Sequence, residues 1–263
     1  MAARLNERVT AKWWVTLLPS AAAFAAAVVV VVSVQRGALE GLDQRVAQGM
    51  LAIRSPVLNR VSWLFTLLGD DVFLGVAAGA VVLRTVWEGL RGRALVFAAA
   101  MVSAQGLSGL LKVTLERERP PLSEMLVAPP GSGSLPSGHA FLALVFLGGV
   151  LLLLRPLSGR RCVVRCGVAA AAGLVVVLVG MSRVLLGVHW MSDVLAGWLL
   201  GSGWVTLWAA AGNLWQASGS PYCLRRLDSS PWWSSRARKV LSAVLLCLTG
   251  ASYLLSALLD PLS

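Results

Sequence analysis

His139 and His189 are the only two histidines in the 263-residue chain, and each lies in a short polar cluster within otherwise apolar sequence. The first cluster is Pro136-Ser137-Gly138-His139. The second is Ser182-Arg183, then His189, then Asp193. A third, upstream, pairs Lys112 with Arg119-Pro120. Two imidazoles, a carboxylate, two guanidiniums and an ammonium therefore flank segments of membrane length, where ionisable groups are costly and mark function. Fixed cations beside two imidazoles suit phosphoryl transfer. Such a set can hold a phosphoryl group while a nucleophile attacks it and an acid protonates the leaving group.

Spacing predicts how the clusters are built. His189 and Asp193 are four residues apart, so a helix starting near His189 puts them on one face. The carboxylate then fixes the imidazole tautomer and leaves the other ring nitrogen free to attack. A satisfied His-Asp pair at a membrane interface is the plain alternative. Gly197 and Gly201 continue that stripe and permit close approach of a neighbouring helix. Ser137 is placed to cap the helix that Gly138 opens, with the amides of Gly138 and His139 turned toward an anion. A capped turn with no ligand would use the same residues. On the third predicted helix, Lys112 and Arg119 are seven apart and so share a face, with Pro120 stopping the helix just beyond. Glu116 and Glu118 offer the competing reading of a salt-bridged helix end.

The elements that must position these groups follow from composition. Hydrophobic residues make up 57% of the chain and charged residues 13%, well above the apolar content of a soluble domain. Stretches of about 20 apolar residues can cross a bilayer as helices. They are predicted near 13–33, 72–87, 94–111, 139–154, 167–181 and 190–211, with a seventh candidate at 240–259. The second, fourth and fifth are short and are expected to extend into flanking residues. The fold class is all-α, a polytopic membrane helix bundle with a six-helix core. The predicted organisation is a core over 1–211, a basic, Trp-containing linker over 212–239 and the seventh candidate helix with the C-terminus over 240–263.

The net charge of +11 does not imply nucleic acid, because its distribution is that of a membrane protein. With a cytoplasmic N-terminus and six alternating spans, 15 of the 23 Lys and Arg fall inside. Three of the other eight are Lys112, Arg119 and Arg183, which leaves a background of 15 against 5. The positive-inside rule thus places all three clusters on the outer face of a plasma-membrane protein. In the first span the small residues Ala21 to Ala27 sit mid-segment and precede the run Val28 to Val32, so it is read as an uncleaved anchor. Leu42, Val46, Met50 and Ile53 recur at helical spacing among charged residues. They predict a helix lying at the interface, either a surface element or a lid over a lateral entrance. Cys162 and Cys166 have no third ligand or histidine nearby and are read as incidental.

The eleven positions of the three clusters are more specific together than any one alone. Lys112, Arg119 and Pro120; Pro136, Ser137, Gly138 and His139; and Ser182, Arg183, His189 and Asp193 resemble the three-part signature of the type 2 phosphatidic acid phosphatase superfamily. That family includes bacterial acid phosphatases and vanadium haloperoxidases. The resemblance covers about 110–195 by motif. It implies a six-helix core with an outward-facing site, and a metal-independent phosphatase with no cofactor. It further implies that His189 attacks phosphorus, that Asp193 orients it and that His139 protonates the leaving oxygen. Lys112, Arg119 and Arg183, with Ser137 and the Gly138 amide, would bind phosphate. The expected partner is a lipid phosphate or diphosphate, such as undecaprenyl diphosphate, phosphatidic acid or phosphatidylglycerophosphate, within membrane lipid. A phosphotransferase using the same site and a non-enzymatic anionic-lipid transporter are the alternatives. The candidate seventh span departs from the basic pattern.

Overall fold

A backbone in lipid must satisfy its own hydrogen bonds, and long runs of Leu, Val and Ala do so as helices. The computed structural model describes residues 13–128, 131–153 and 160–217. These residues form eight α-helices and no strand. In chain order they are α1 (Trp13–Gln35), α2 (Glu40–Ala52), α3 (Pro56–Leu67), α4 (Asp71–Trp87), α5 (Arg91–Leu115), α6 (Gly138–Leu153), α7 (Arg160–Leu185) and α8 (Met191–Ala217). A 3₁₀ turn, Leu122–Glu124, lies between α5 and α6. Four helices are long and apolar enough to span a membrane: Leu17–Gln35, Arg91–Leu115, Cys166–Leu185 and Met191–Gly212. The pair α3 and α4, bent by 45°, meets the same test when taken together, as a broken span or a re-entrant loop, and α6 is a shorter apolar helix. The chain is an all-helical membrane bundle, and the candidate helix at 240–259 lies outside the described residues.

The second predicted span, 72–87, matches α4 but is only the lower part of a longer segment. Its upper part, α3, begins at Ser55, whose Oγ accepts from Leu58 N at 3.2 Å, with Pro56 in the first turn. These are start signals for a helix. Asp70 then opens a second helix by accepting from Val72 N and Phe73 N at 3.0 and 3.1 Å. A cap inside the segment produces the bend. The fifth span is likewise longer than 167–181, and the sixth runs past 211.

Helix α6 sits centrally and packs against α4, α5, α7 and α8. Leu74 and Ala78 of α4, Phe97, Met101 and Ala104 of α5, and Phe141, Leu142 and Val145 of α6 form the largest buried cluster. Between α6 and α8 the predicted small-residue stripe is realised. A Cβ on Gly197 would lie 2.7 Å from the Ser137 carbonyl oxygen, and one on Gly201 3.2 Å from that of Phe141. In lipid such close packing, more than exclusion of water, draws helices together. Helix α1 docks on α8, with Ser20 Oγ donating to the Gly203 carbonyl at 2.8 Å.

The amphipathic segment forms α2, but its inward face differs from the predicted stripe. Leu42 and Ile53 are exposed. Val46 and Met50 pack near Val184 and Val194, and the residue buried between them and Leu39 is charged: Asp43, 1% exposed.

Candidate active site

Helix α6 begins at Gly138, which makes Ser137 its N-cap residue. The Ser137 hydroxyl does not cap: its Oγ is buried and has no partner among the described residues. The segment is instead held through its backbone, with Ser137 N donating to the Asp193 carbonyl at 3.0 Å and Phe141 N donating to Ser137 O at 3.0 Å. The first-turn amides, which have no intrahelical acceptor, and a free hydroxyl therefore share one helix end. Gly138 is required there by space. A Cβ would sit 3.1 Å from Lys112 Nζ and 3.3 Å from Ser108 Oγ, so the lysine comes down onto the bare backbone.

His189 lies in the loop between α7 and α8, two residues before the helix begins. The predicted shared helical face is therefore not what joins it to Asp193. Asp193 is the third residue of α8, and its Oδ2 accepts from Trp190 N at 2.9 Å, the reach-back of a capping box. The same oxygen lies 3.4 Å from His189 Nδ1. Nδ1 thus carries the proton and Nε2 is left with its lone pair, an assignment made from the partners. The loop is pinned on several sides. Arg54 donates to Leu185 O from Nε and Nη2 at 2.9 and 2.6 Å, and Leu126 N donates to Leu186 O at 2.9 Å. Arg119 Nη1 donates to Val188 O at 2.8 Å, and Trp190 Nε1 to Glu118 O at 3.0 Å. Burial pushes the His189 imidazole down to about 4, against the opposing pull of Asp193 and with further lowering by Arg183 and Arg119. It is neutral at physiological pH.

The cations arrive from three elements. Lys112 is on α5, but the helix ends at Leu115, and Arg119 is in the loop beyond. Glu116 takes a left-handed conformation (φ 41°), and its N–H bonds back to Lys112 O. The helix stops there, before Pro120, because Gly133 of the returning chain packs against Lys112 O and Ser134 N donates to Arg117 O at 2.9 Å. Arg119 Nε donates to Ser132 O and Nη2 to Gly133 O, each at 3.1 Å. Its Nη1 lies 3.4 Å from His189 Nε2. Arg183, 5% exposed in the last turn of α7, donates from Nη1 to Thr66 Oγ1 at 2.5 Å. Its Nε has no partner among the described residues. Glu116 and Glu118 are exposed, and neither forms an ion pair with Lys112 or Arg119 among the described residues.

His139, in the first turn of α6, is half-buried. Its ring lies against the α3–α4 bend, where a Cβ on Gly69 would be 3.1 Å from His139 Cβ and 3.2 Å from Cδ2. Arg183, His189, Lys112 and Arg119 are its electrostatic neighbours. All eight predicted site residues are therefore brought into one cluster, on six elements. The free nitrogen of a neutral imidazole faces Arg119, with Arg183 as its second cationic neighbour, Lys112 beside His139, and two orphaned polar atoms on the same segments. Such a cluster fits a tetrahedral anion.

Sequence reasoning missed Arg117, Asp43 and Ser192. Arg117 forms ion pairs with Asp193 Oδ1 and, at 2.7 Å, with Asp43 Oδ2. One signal was available: an aspartate in the middle of the apolar face of α2. The role of Thr66 left no sequence trace.

The PAP2 superfamily model matches residues 93–216, the stretch that carries all three clusters. The chain is 33% identical over 177 residues to phosphatidylglycerophosphatase B of Bacillus subtilis (strain 168), covering 64% of this chain and 82% of that one. It is 44% identical over 82 residues to an undecaprenyl-diphosphatase of Sulfolobus acidocaldarius, covering 31% of this chain and 34% of that one. The crystal structure of a transmembrane PAP2-type phosphatidylglycerolphosphate phosphatase from Bacillus subtilis superposes with a TM-score of 0.61 at 29% identity. That match covers 72% of this chain and 94% of the other. With helices long enough to span a membrane and the motif residues gathered at one site, the chain belongs to the PAP2 superfamily as one of its membrane phosphatases.

Proposed function

We propose that this chain dephosphorylates a membrane lipid at the outer leaflet through a phosphohistidine on His189. The observation that carries the reading is the pair of buried, unpartnered atoms, Ser137 Oγ and Arg183 Nε, on the two segments that flank His189. A phosphoryl group would supply the acceptors both lack. Nε2 of neutral His189 attacks phosphorus as the bond to the lipid oxygen breaks, and His139, protonated once the anionic phosphate lies beside it, gives that oxygen its proton. A water then attacks the phosphohistidine, His139 takes up the proton, and inorganic phosphate leaves with His189 restored. Lys112, Arg119 and Arg183, with the α6 amides, stabilise the charge on the equatorial oxygens. Asp193 holds the attacking tautomer.

The relative matched over most of its length is named for phosphatidylglycerophosphate, and a shorter match is named for undecaprenyl diphosphate. Phosphate release by purified protein from these two lipids and phosphatidic acid tests the reading. Release from at least one, inhibited by vanadate and unaffected by excess EDTA, is expected. Loss on chelation, restored by a divalent metal, would refute the metal-independent mechanism. The side is tested at Ser132, which is exposed in the α5–α6 loop. In a cysteine-free background, Ser132→Cys should react with an impermeant thiol reagent in intact cells, and labelling only after lysis would reverse the orientation.

A further inference from the structure

We infer that Arg117 and Asp43 are positioning residues for His189, acting through Asp193 as one guanidinium shared between two buried carboxylates. The inference rests on the reading of His189 as the attacking group. Arg117 Nη1 pairs with Asp193 Oδ1 and donates to Ser192 Oγ at 2.8 Å, while Nη2 donates to Asp43 Oδ2 at 2.7 Å. Asp43 in turn accepts from Ser192 N at 2.9 Å and from Ser192 Oγ at 2.6 Å. The two oxygens of Asp193 are thereby given separate tasks. Oδ1 faces the arginine, and Oδ2 is left for Trp190 N and His189 Nδ1.

Anchoring α2 to the bundle could be done by apolar contacts alone, and buried ion pairs are weak contributors to stability. A planar fork between two carboxylates does something apolar packing cannot: it fixes the rotation of the Asp193 carboxylate and so the plane of the imidazole. It also divides a charge. Asp43 draws part of the Arg117 field away from Asp193, leaving Asp193 a stronger acceptor for His189. Asp43 comes from α2, 150 residues from Asp193 in the chain, so the helix beside the site is wired to its centre.

The test uses the chain's having only two histidines. Ring-¹⁵N-histidine NMR of full-length protein without a histidine tag gives two imidazole spin systems, and His139→Asn assigns them. The charged groups facing His189 are Asp193 from α8, Arg183 from α7, Arg119 from the α5–α6 loop and, further off, Lys112 of α5 and His139 of α6; each stays unchanged. Asp43→Asn leaves Arg117 wholly to Asp193 and should move the His189 midpoint down. Arg117→Gln leaves Asp193 unopposed and should move it up by about one unit. Arg117→Lys keeps the charge but not the fork and should move it up by less. In phosphate release the same variants should lower kcat by about tenfold with KM within about twofold, since neither residue touches the phosphate.

Opposite shifts are the signature of positioning. Mere loosening of the bundle would hydrate His189 and raise its midpoint in both directions of charge change, so an upward or absent shift in Asp43→Asn overturns the inference. Should Arg117→Gln not fold, Asp43→Asn against Arg117→Lys gives the same contrast. If wild-type protein releases no phosphate from any lipid tested, the functional reading fails, while the titrations still report whether the fork governs His189.

Discussion

His189 and His139 belong to one cluster but are held in opposite ways. The His189 loop is gripped through its backbone by Arg54, Arg119 and Leu126 and through its ring by Asp193, and the residue is 2% exposed. His139 is half-buried, makes no hydrogen bond to a described residue and is located by the bare backbone of Gly69 against its ring. The first arrangement suits a nitrogen that must meet phosphorus at one angle. The second suits a ring that must gain and lose a proton in each turnover and needs contact with water to do so.

The contrast can be broken most directly at His189. His189→Ala should lose at least about 10⁴-fold in kcat on every substrate and should form no covalent intermediate under acid-quenched labelling. Retained turnover would move the attack elsewhere. His139→Ala should lose about 10² to 10⁴-fold on a phosphomonoester but less on a diphosphate, whose leaving phosphate is a weaker base. Equal losses on both, in protein that still binds vanadate, would remove His139 from the acid role. Gly69→Ala sharpens the comparison from the packing side. Its methyl would sit 2.5 Å from Val179 Cγ1 and 3.1 Å from His139 Cβ, pushing on the ring without touching His189. A loss of about tenfold, the size of one misaligned hydrogen bond, should show the same preference for diphosphate over monoester. The smallest effect is one of pH. Because burial holds His189 down to about 4, the attacking form persists as the solution is acidified. The acid limb of kcat/KM should then fall near pH 4, below the ordinary imidazole value of about 6.5. A limb near 6.5 would mean that His189 is more hydrated than the structure has it.

What the sequence made legible divides along chemical lines. All eight predicted site residues converge, because the roles proposed for them demand side chains of particular types at particular places. Their local settings were harder to read. Lys112 and Arg119 were expected on one helix, yet a left-handed Glu116 breaks it, and that conformation is imposed by Gly133 arriving from the far side of the loop. His189 and Asp193 were expected on one helical face, but a capping turn joins them. The Asp43–Arg117 pair spans 74 residues, and no periodicity along the chain encodes a contact of that range. The bend at Asp70 could have been read from Gly69-Asp70-Asp71, a turn followed by a cap, within an apolar stretch.

The seam between α6 and α8 has a consequence for how such a protein can diversify. Gly197 and Gly201 let α6 and α8 touch through backbone, and Ser137 N donates directly to Asp193 O. The spacing of the two histidine segments is therefore built into the contact of two rigid rods. Arg119 hangs from the separate loop after α5. The arginine facing His189 Nε2 and the Arg117 fork thus ride on a part separate from the seam, so changes within that loop can retune the site without altering the distance between the two histidine segments.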